Sequence, residues 1–324
     1  MHAVTRFLLC MLVSAGFNAT SVLASSYEDS KSESLLNTHY FGRFEIALPC
    51  GSEISADYKN FDEKIEWVSN EGDSRINQAV DQKVEDLKKG IAVGTFSVYE
   101  KTVPLDNGSV LLVSRLNKFY TFNVYLLTAK NTLYHMMAAN ISEQGLEGGI
   151  EKMRLLSNSI YSRPPHQAPP QGGFAIEAGY TTLGSEKFLE SVYMGAQIAG
   201  HPGTYISFLT KAIFTQEDSL IERFEKRQYD VSIGELANSG SIKTLRKRPR
   251  LVNGIQAEEV AVSARVDGKQ FYAFQLEYKG TVESNTRPYI ALELGTHEKG
   301  SDFKSDEDAL KFWDGIVNSL KPLP

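Results

Sequence analysis

The densest positive charge in the sequence lies at Lys243, Arg246, Lys247, Arg248 and Arg250, in a chain whose formal net charge is −6. Cations set against the net sign can draw an acidic protein partner or anionic lipid headgroups. With Pro249 among them, the same residues also suit a solvated edge strand, because Lys, Arg and Pro discourage pairing with a second sheet. No aromatics interleave with the run, so nucleic-acid binding is not expected. Cys50 can act as a nucleophile only beside a base; otherwise it is a small apolar residue at a strand end. His39, His135, His166, His201 and His297 show no metal-ligand spacing. His135 fits a strand between Tyr134 and Met136, and His297-Glu298 reads as loop. Asp302, Asp306, Glu307 and Asp308 lack the glycine and terminal Glu of an EF-hand and better complement the amino end of a helix. The sequence holds no H-E-x-x-H, Walker, G-x-S-x-G or dinucleotide-binding motif. No catalytic set, metal site or cofactor is expected from these residues.

The elements around them follow hydrophobic periodicity. Phe44, Ile46 and Leu48 alternate as in a half-buried strand. Asp73 is placed to cap a helix running to Lys89, with Ile76, Val80, Val84 and Leu87 on one stripe and Gly90 closing it. Asp106-Asn107-Gly108 is a hairpin turn, and Tyr120, Phe122, Val124 and Leu126 share a strand face. A helix carrying Leu146, Ile150, Met153 and Leu156 ends the first half. The second half opens on a strand over 173–180, with extended segments near 189–198 and 203–209. Thr215 is placed to cap a helix holding Leu220, Ile221 and Phe224. A β region from Lys243 to Leu294 turns at Asn253-Gly254 and Asp267-Gly268, and Ser305 starts a last helix with Trp313, Ile316 and Val317 inward.

At 324 residues and 42% hydrophobic content the chain is a globular protein, long enough to favour two domains. Met1–Ala24 reads as a secretory signal: Arg6, the apolar run Phe7–Val13, and cleavage after Ala24. The run is shorter than the roughly 20 residues that span a bilayer, and no later stretch reaches that length. After cleavage Cys50 is the only thiol left, so no internal disulfide forms. Four prolines between Pro164 and Pro170 favour extended polyproline geometry and suggest a stiff spacer of about 28 Å. The expected organisation is a signal at 1–24, an N-terminal α+β domain at 36–162, a spacer at 163–172 and a C-terminal α+β domain at 173–324. Each domain is an antiparallel sheet packed with helices. Ser157-Asn158-Ser159-Ile160 and Val317-Asn318-Ser319-Leu320 echo each other, as do the Asn-Gly turns, so a diverged duplication is expected.

Several segments carry a family resemblance. Phe41-Gly42-Arg43-Phe44-Glu45-Ile46-Ala47-Leu48-Pro49 resembles the opening of immunity proteins against type VI secretion phospholipase effectors. Gly172-Gly173-Phe174-Ala175-Ile176-Glu177-Ala178-Gly179-Tyr180 resembles the start of their C-terminal domain. Gly254–Glu259, Arg287–Leu294 and Phe312–Leu320 fit the same family in order. The family's Cys before the first Gly-Arg is Phe41 here. The resemblance implies a periplasmic, non-enzymatic binder that grips a lipase effector with both domains. It supplies no contact residues by position. On physical grounds the candidate contacts are the basic run and the aromatics Tyr180, Tyr193 and Phe214, which also suit core packing. Two other readings remain open: an exported envelope protein that binds anionic lipid or an acidic partner through the basic run, and a hydrolase using Cys50 or a His–Asp pair.

Overall fold

A computed structural model describes residues 36–89, 97–184, 189–240 and 242–324. The signal, its cleavage point at Ala24, and Gly90 lie outside the described residues. The first half contains β1 (Leu36–Phe41), β2 (Phe44–Pro49), β3 (Glu53–Asn60), β4 (Glu63–Ser69), α1 (Gly72–Lys88), β5 (Val98–Pro104), β6 (Val110–Leu116), β7 (Phe119–Leu127), β8 (Leu133–Ile141), α2 (Leu146–Ser159) and β9 (Ile160–Ser162). The second contains β10 (Phe174–Ile176), β11 (Gly179–Thr181), β12 (Glu190–Gln197), β13 (Thr204–Lys211), α3 (Leu220–Glu225), α4 (Val231–Ser239), β14 (Lys243–Val252), β15 (Ile255–Val266), β16 (Lys269–Tyr278), β17 (Tyr289–Thr296), α5 (Asp306–Ser319) and β18 (Lys321–Pro322). The class is α+β with antiparallel sheets, as expected.

The order of elements repeats: hairpin, hairpin, helix, four strands, helix, short strand. The halves meet in one twelve-stranded sheet ordered β14-β15-β16-β17-β13-β12-β3-β4-β8-β7-β6-β5. Its two ends mirror each other about the β12–β3 pair, whose register runs from Glu190↔Asn60 to Gln197↔Glu53. Alternation along each strand gives an inner face, with Val192, Met194, Ile206, Phe208, Leu292 and Leu294 at 3% exposure or less, and an outer face. Helices α2 and α5 lie on the inner side, where Trp313 and Met153 join the same core.

The opening hairpins are exchanged between the halves. Strand β2 pairs with β18 from the far end of the chain, and the Ala47 amide donates to Ser319 Oγ at 2.9 Å. Strand β11 pairs with β9 of the first half, where the Tyr134 hydroxyl donates to the Glu177 carbonyl at 3.0 Å. The two hairpins touch at Gly42 and Ala175, which trade backbone hydrogen bonds of 3.0 and 2.8 Å. Gly42 has φ +59°, and a Cβ there would sit 2.8 Å from the Phe174 ring, so only glycine fits.

The proline-rich segment therefore does not hold two bodies apart. The shared sheet and the exchanged hairpins make the described residues one compact unit. Arg163 fastens the segment. Its guanidinium donates to the carbonyls of Gly179, Ile176, Gln167, Pro165 and Pro164, at 2.6 to 3.4 Å. Prolines leave carbonyls without neighbouring amides to pair them, and one planar fork of five donors meets several at once. Arg163→Met is expected to destabilise the fold by about 3 kcal/mol, since each buried acceptor left unpaired costs about 1–3 kcal/mol. Arg163→Lys should rescue little of it, because an ammonium lacks the fork. Urea denaturation of the two variants measures both.

Local signals differ from expectation at four places. Helix α1 starts at Gly72, and Asp73 does not cap it; the Asn131 side chain accepts from the Asp73 amide at 2.5 Å. Helix α3 starts after Ser219, not Thr215, because Ser219 and Glu222 form a capping box. Helix α4 follows it. The expected strand over 173–180 is a tight hairpin, turned by Ala178 at φ +53°.

Candidate functional site

Outer-face side chains are covered at both ends of the sheet. Helix α1 lays Ile76 onto Leu112, Tyr125, Leu127 and Leu133. Helices α3 and α4 lay Leu220 and Ile233 onto Val260, Val262 and Ala273. A polar layer locks this second cover. Arg223 grips the buried Glu277 carboxylate with two bonds of 3.0 and 2.6 Å, and also reaches Asp230 at 3.0 Å. The Tyr289 hydroxyl and Gln275 amide complete the layer at 2.8 and 2.7 Å. Burial, with Asp230 nearby, pushes the Glu293 carboxyl above its ordinary value.

Between these covers lie β12, β3 and the far end of β13, while α4 reaches the near end of β13 at Tyr205. The register sets Leu209, Tyr193 and Asp57 side by side across the three strands. Lys211, Ser191 and Lys59 form the next row. Tyr193 is 52% exposed, and Met137, on β8 beyond β4, is 53% exposed. Of the charges beside this centre, Lys64 meets Asp57 at 2.9 Å and Glu66 at 3.1 Å, and Lys211 lies over the Tyr289 ring. An exposed tyrosine beside a leucine, among polar neighbours and between two helical covers, can serve as a protein-binding surface. It can recognise a convex partner. Among the described residues no group of side chains is arranged to hold a metal, and no helix is long and apolar enough to cross a membrane.

Of the residues singled out in the sequence, Tyr193 lies at the centre of this strip. Phe214, 62% exposed, follows β13 at one end, beside the Ile213–Val282 bridge. Tyr180 lies apart on β11, stacked on Tyr161 at 5.1 Å. The basic run does occupy an edge strand, β14, but its cations are engaged by the protein itself. Arg246, Arg248 and Arg250 alternate onto the inner face and converge on Glu259, which is fully buried, at 3.4, 2.8 and 2.8 Å. Arg246 and Arg250 also hold Asp314 of α5 at 2.6 and 2.9 Å. Lys247 faces outward to Glu225 at 2.6 Å, and Lys243 reaches Asp306 at 2.7 Å. Sequence density reported the cations and missed the carboxylates, which come from β15, α3 and α5. Period-two alternation against Glu259 was the signal that could have found them.

Burial raises the Asp314 carboxyl, but the hydrogen bond from Arg246 and the charges of Arg246 and Arg250 outweigh it and hold it below the ordinary range. A depressed carboxyl stabilises the fold above its unfolded value, near pH 4, and that share is lost as pH falls through the folded value. Asp314→Asn is therefore expected to flatten the acid limb of a stability–pH curve, read by denaturation from pH 7 to 3.

The other candidates are accounted for differently. Cys50 is exposed in the turn between β2 and β3, not packed at a strand end. His201 pairs with Asp302 at 2.9 Å, and its ring packs against Phe303 and Phe312 at 4.4 and 5.0 Å, two rings that also touch each other. That aromatic packing gives the pair a structural role at the foot of α5. Ser305 caps α5 as expected, and the acids Asp306, Glu307 and Asp308 occupy its first turn.

Residues 167–324 match the model of the Tle cognate immunity protein 4 C-terminal domain. That match takes in the second half of the chain. Solved structures extend the likeness across both halves of the chain. The apo immunity protein TplEi of the T6SS from Pseudomonas aeruginosa superposes with TM-score 0.79 at 26% identity, over 91% of this chain and 99% of that one. The crystal structure of the Tle4–Tli4 complex gives TM-score 0.78 at 27% identity, over 89% and 98%. TplEi complexed with an "L" peptide gives TM-score 0.74 at 27% identity, over 89% and 98%. No curated protein matches the chain.

Proposed function

We propose that the chain is a periplasmic immunity protein that binds and neutralises a type VI secretion phospholipase effector and catalyses nothing itself. The observation that carries this is the open strip of β13, β12 and β3 between two helical flanks, in a chain that resembles immunity proteins along both halves. The halves at 36–162 and 173–324 serve as two arms: each contributes one flank, the first adding β3 and the second β12 and β13 to the strip. Because the sheet is continuous, the arms come pre-set, and little orientational freedom is lost when the effector seats. Nanomolar inhibition needs about −12 kcal/mol, within reach of a standard interface of roughly 800 Å² per partner. Tyr193 is the central anchor, with Phe214 at the strip's end. The basic run braces α5 rather than meeting the partner.

Expression in the periplasm together with the lipase encoded beside it tests the reading. Growth should be restored by the wild-type chain. Killing that continues unchanged with every neighbouring lipase would overturn it.

A further inference from the structure

The mirrored halves differ most where helices cover the outer face. In the first half one helix of 17 residues does this; in the second, helices of six and nine residues do. The shorter cover leaves a cavity of about 350 Å³ between α4 and strands β13, β16 and β17. That volume suits a small ligand or a large side chain. Tyr205 lines it beside Gly295, its register partner on β17, with its hydroxyl bonded to Ser232 of α4 and its ring tilted against His297 at 5.1 Å. A Cβ on Gly295 would overlap the Tyr205 ring, so the glycine lets the ring lie flat across the strand. Three carboxylates stand at the rim: Glu235 of α4, Asp267 of the β15–β16 turn and Glu298 beyond β17. Among the described residues none of the three forms an ion pair. One cation, Lys269, lines the same cavity and donates to the Glu298 carbonyl at 3.4 Å, which leaves the carboxylates in excess.

An aromatic floor under an excess of carboxylates is the chemistry that receives a planar cation. A guanidinium stacks on a tyrosine face and donates in parallel pairs to carboxylates. Tyr205 belongs to the outward row that also holds Gln197 of β12, so the cavity opens at the margin of the strip. We propose that the cavity takes an arginine side chain presented by the protein that covers the strip. This rests on reading the chain as a binder of another protein. The arginine fixes the partner's register, while Tyr193 and Leu209 supply apolar contact.

Two arms test it. In the first, Nα-acetyl-arginine amide is titrated into the full chain and backbone amide shifts are followed by NMR. Saturable shifts should centre on Tyr205, Ala273 and Gly295, and the uncharged citrulline analogue should bind on the order of tenfold more weakly. The exposed double variant Glu235→Gln, Glu298→Gln, with an unchanged circular dichroism spectrum, should lose them. Absent shifts, equal binding of citrulline, or full binding by the variant would overturn the proposal. In the second arm the same variant is titrated with the neighbouring lipase, and a loss of at least about tenfold in affinity is expected. An unchanged Kd overturns the arginine contact and leaves the immunity reading intact. Failure of the wild-type chain to bind any neighbouring lipase overturns the immunity reading, while the acetyl-arginine arm still decides the chemistry of the cavity.

Discussion

Glu259→Ala is expected to lower the stability of the protein by about 3–5 kcal/mol, the range for removing one member of a buried charge cluster. Glu259 is fully buried and accepts from Arg246, Arg248 and Arg250, and from the Trp313 indole at 2.8 Å. Removing it strands the Arg250 guanidinium, only 9% exposed, with Asp314 and Asn318 as its remaining partners. It also leaves the indole of the largest buried side chain without its acceptor. Arg248 is half exposed and can turn to water, so the loss falls on Arg250 and Trp313. Glu259→Gln keeps an acceptor for the indole and should lie between wild type and Ala. The expected signature is a lower urea midpoint at unchanged slope. A double-mutant cycle with Arg250→Ala should give coupling above about 1 kcal/mol. A near-additive cycle would mean that the cluster does not seat α5.

The second large effect concerns binding. Tyr193→Ala is expected to cost at least 2 kcal/mol of effector affinity, about a thirtyfold rise in Kd, as for a central aromatic anchor. Leu209→Arg, in the same row, should weaken binding further, because it buries a cation against apolar contact. Both side chains point away from the core, so thermal stability should change little. Tyr161→Ala, on the separate three-stranded sheet, is the control and should bind as wild type. Most of the change should appear in the dissociation rate, since the paired charges around the strip are left in place. Surface plasmon resonance against the immobilised lipase reads all three variants.

Much of this fold was legible in the sequence, and the failures have physical causes. Asn253-Gly254 and Asp267-Gly268 each place two consecutive residues at positive φ, as the hairpin signal requires. Ser305 and the Trp313 stripe gave α5 correctly because cap and periodicity agree. The start of α3 was misplaced because Ser219 with Glu222 competes with Thr215, and only the box has a reciprocal partner. The hairpin exchange left no local trace. Phe44, Ile46 and Leu48 read as a buried strand whichever half they pack against, and pairing with β18, near the far terminus, is a long-range choice. The spacer misled for a related reason: prolines report extended backbone but not whether Arg163 ties that backbone down. At the surface, Tyr193 was visible as a strand aromatic, whereas its placement between two flanks depends on β12 pairing with β3. The ion pairs of the basic run were not legible, because charge density in sequence carries no information about partners contributed by other elements.

Hydroxyl-radical footprinting of the protein alone and mixed with the lipase encoded beside it tests the central claim most directly. Tyr193 and Met137, both about half exposed, should label readily in the free protein and be protected at least severalfold in the complex. Tyr161, 41% exposed on the small sheet, should label equally in both. Undiminished labelling of Tyr193 and Met137 in a saturated complex would contradict the account, because the partner would then sit elsewhere and the open strip would be no binding surface.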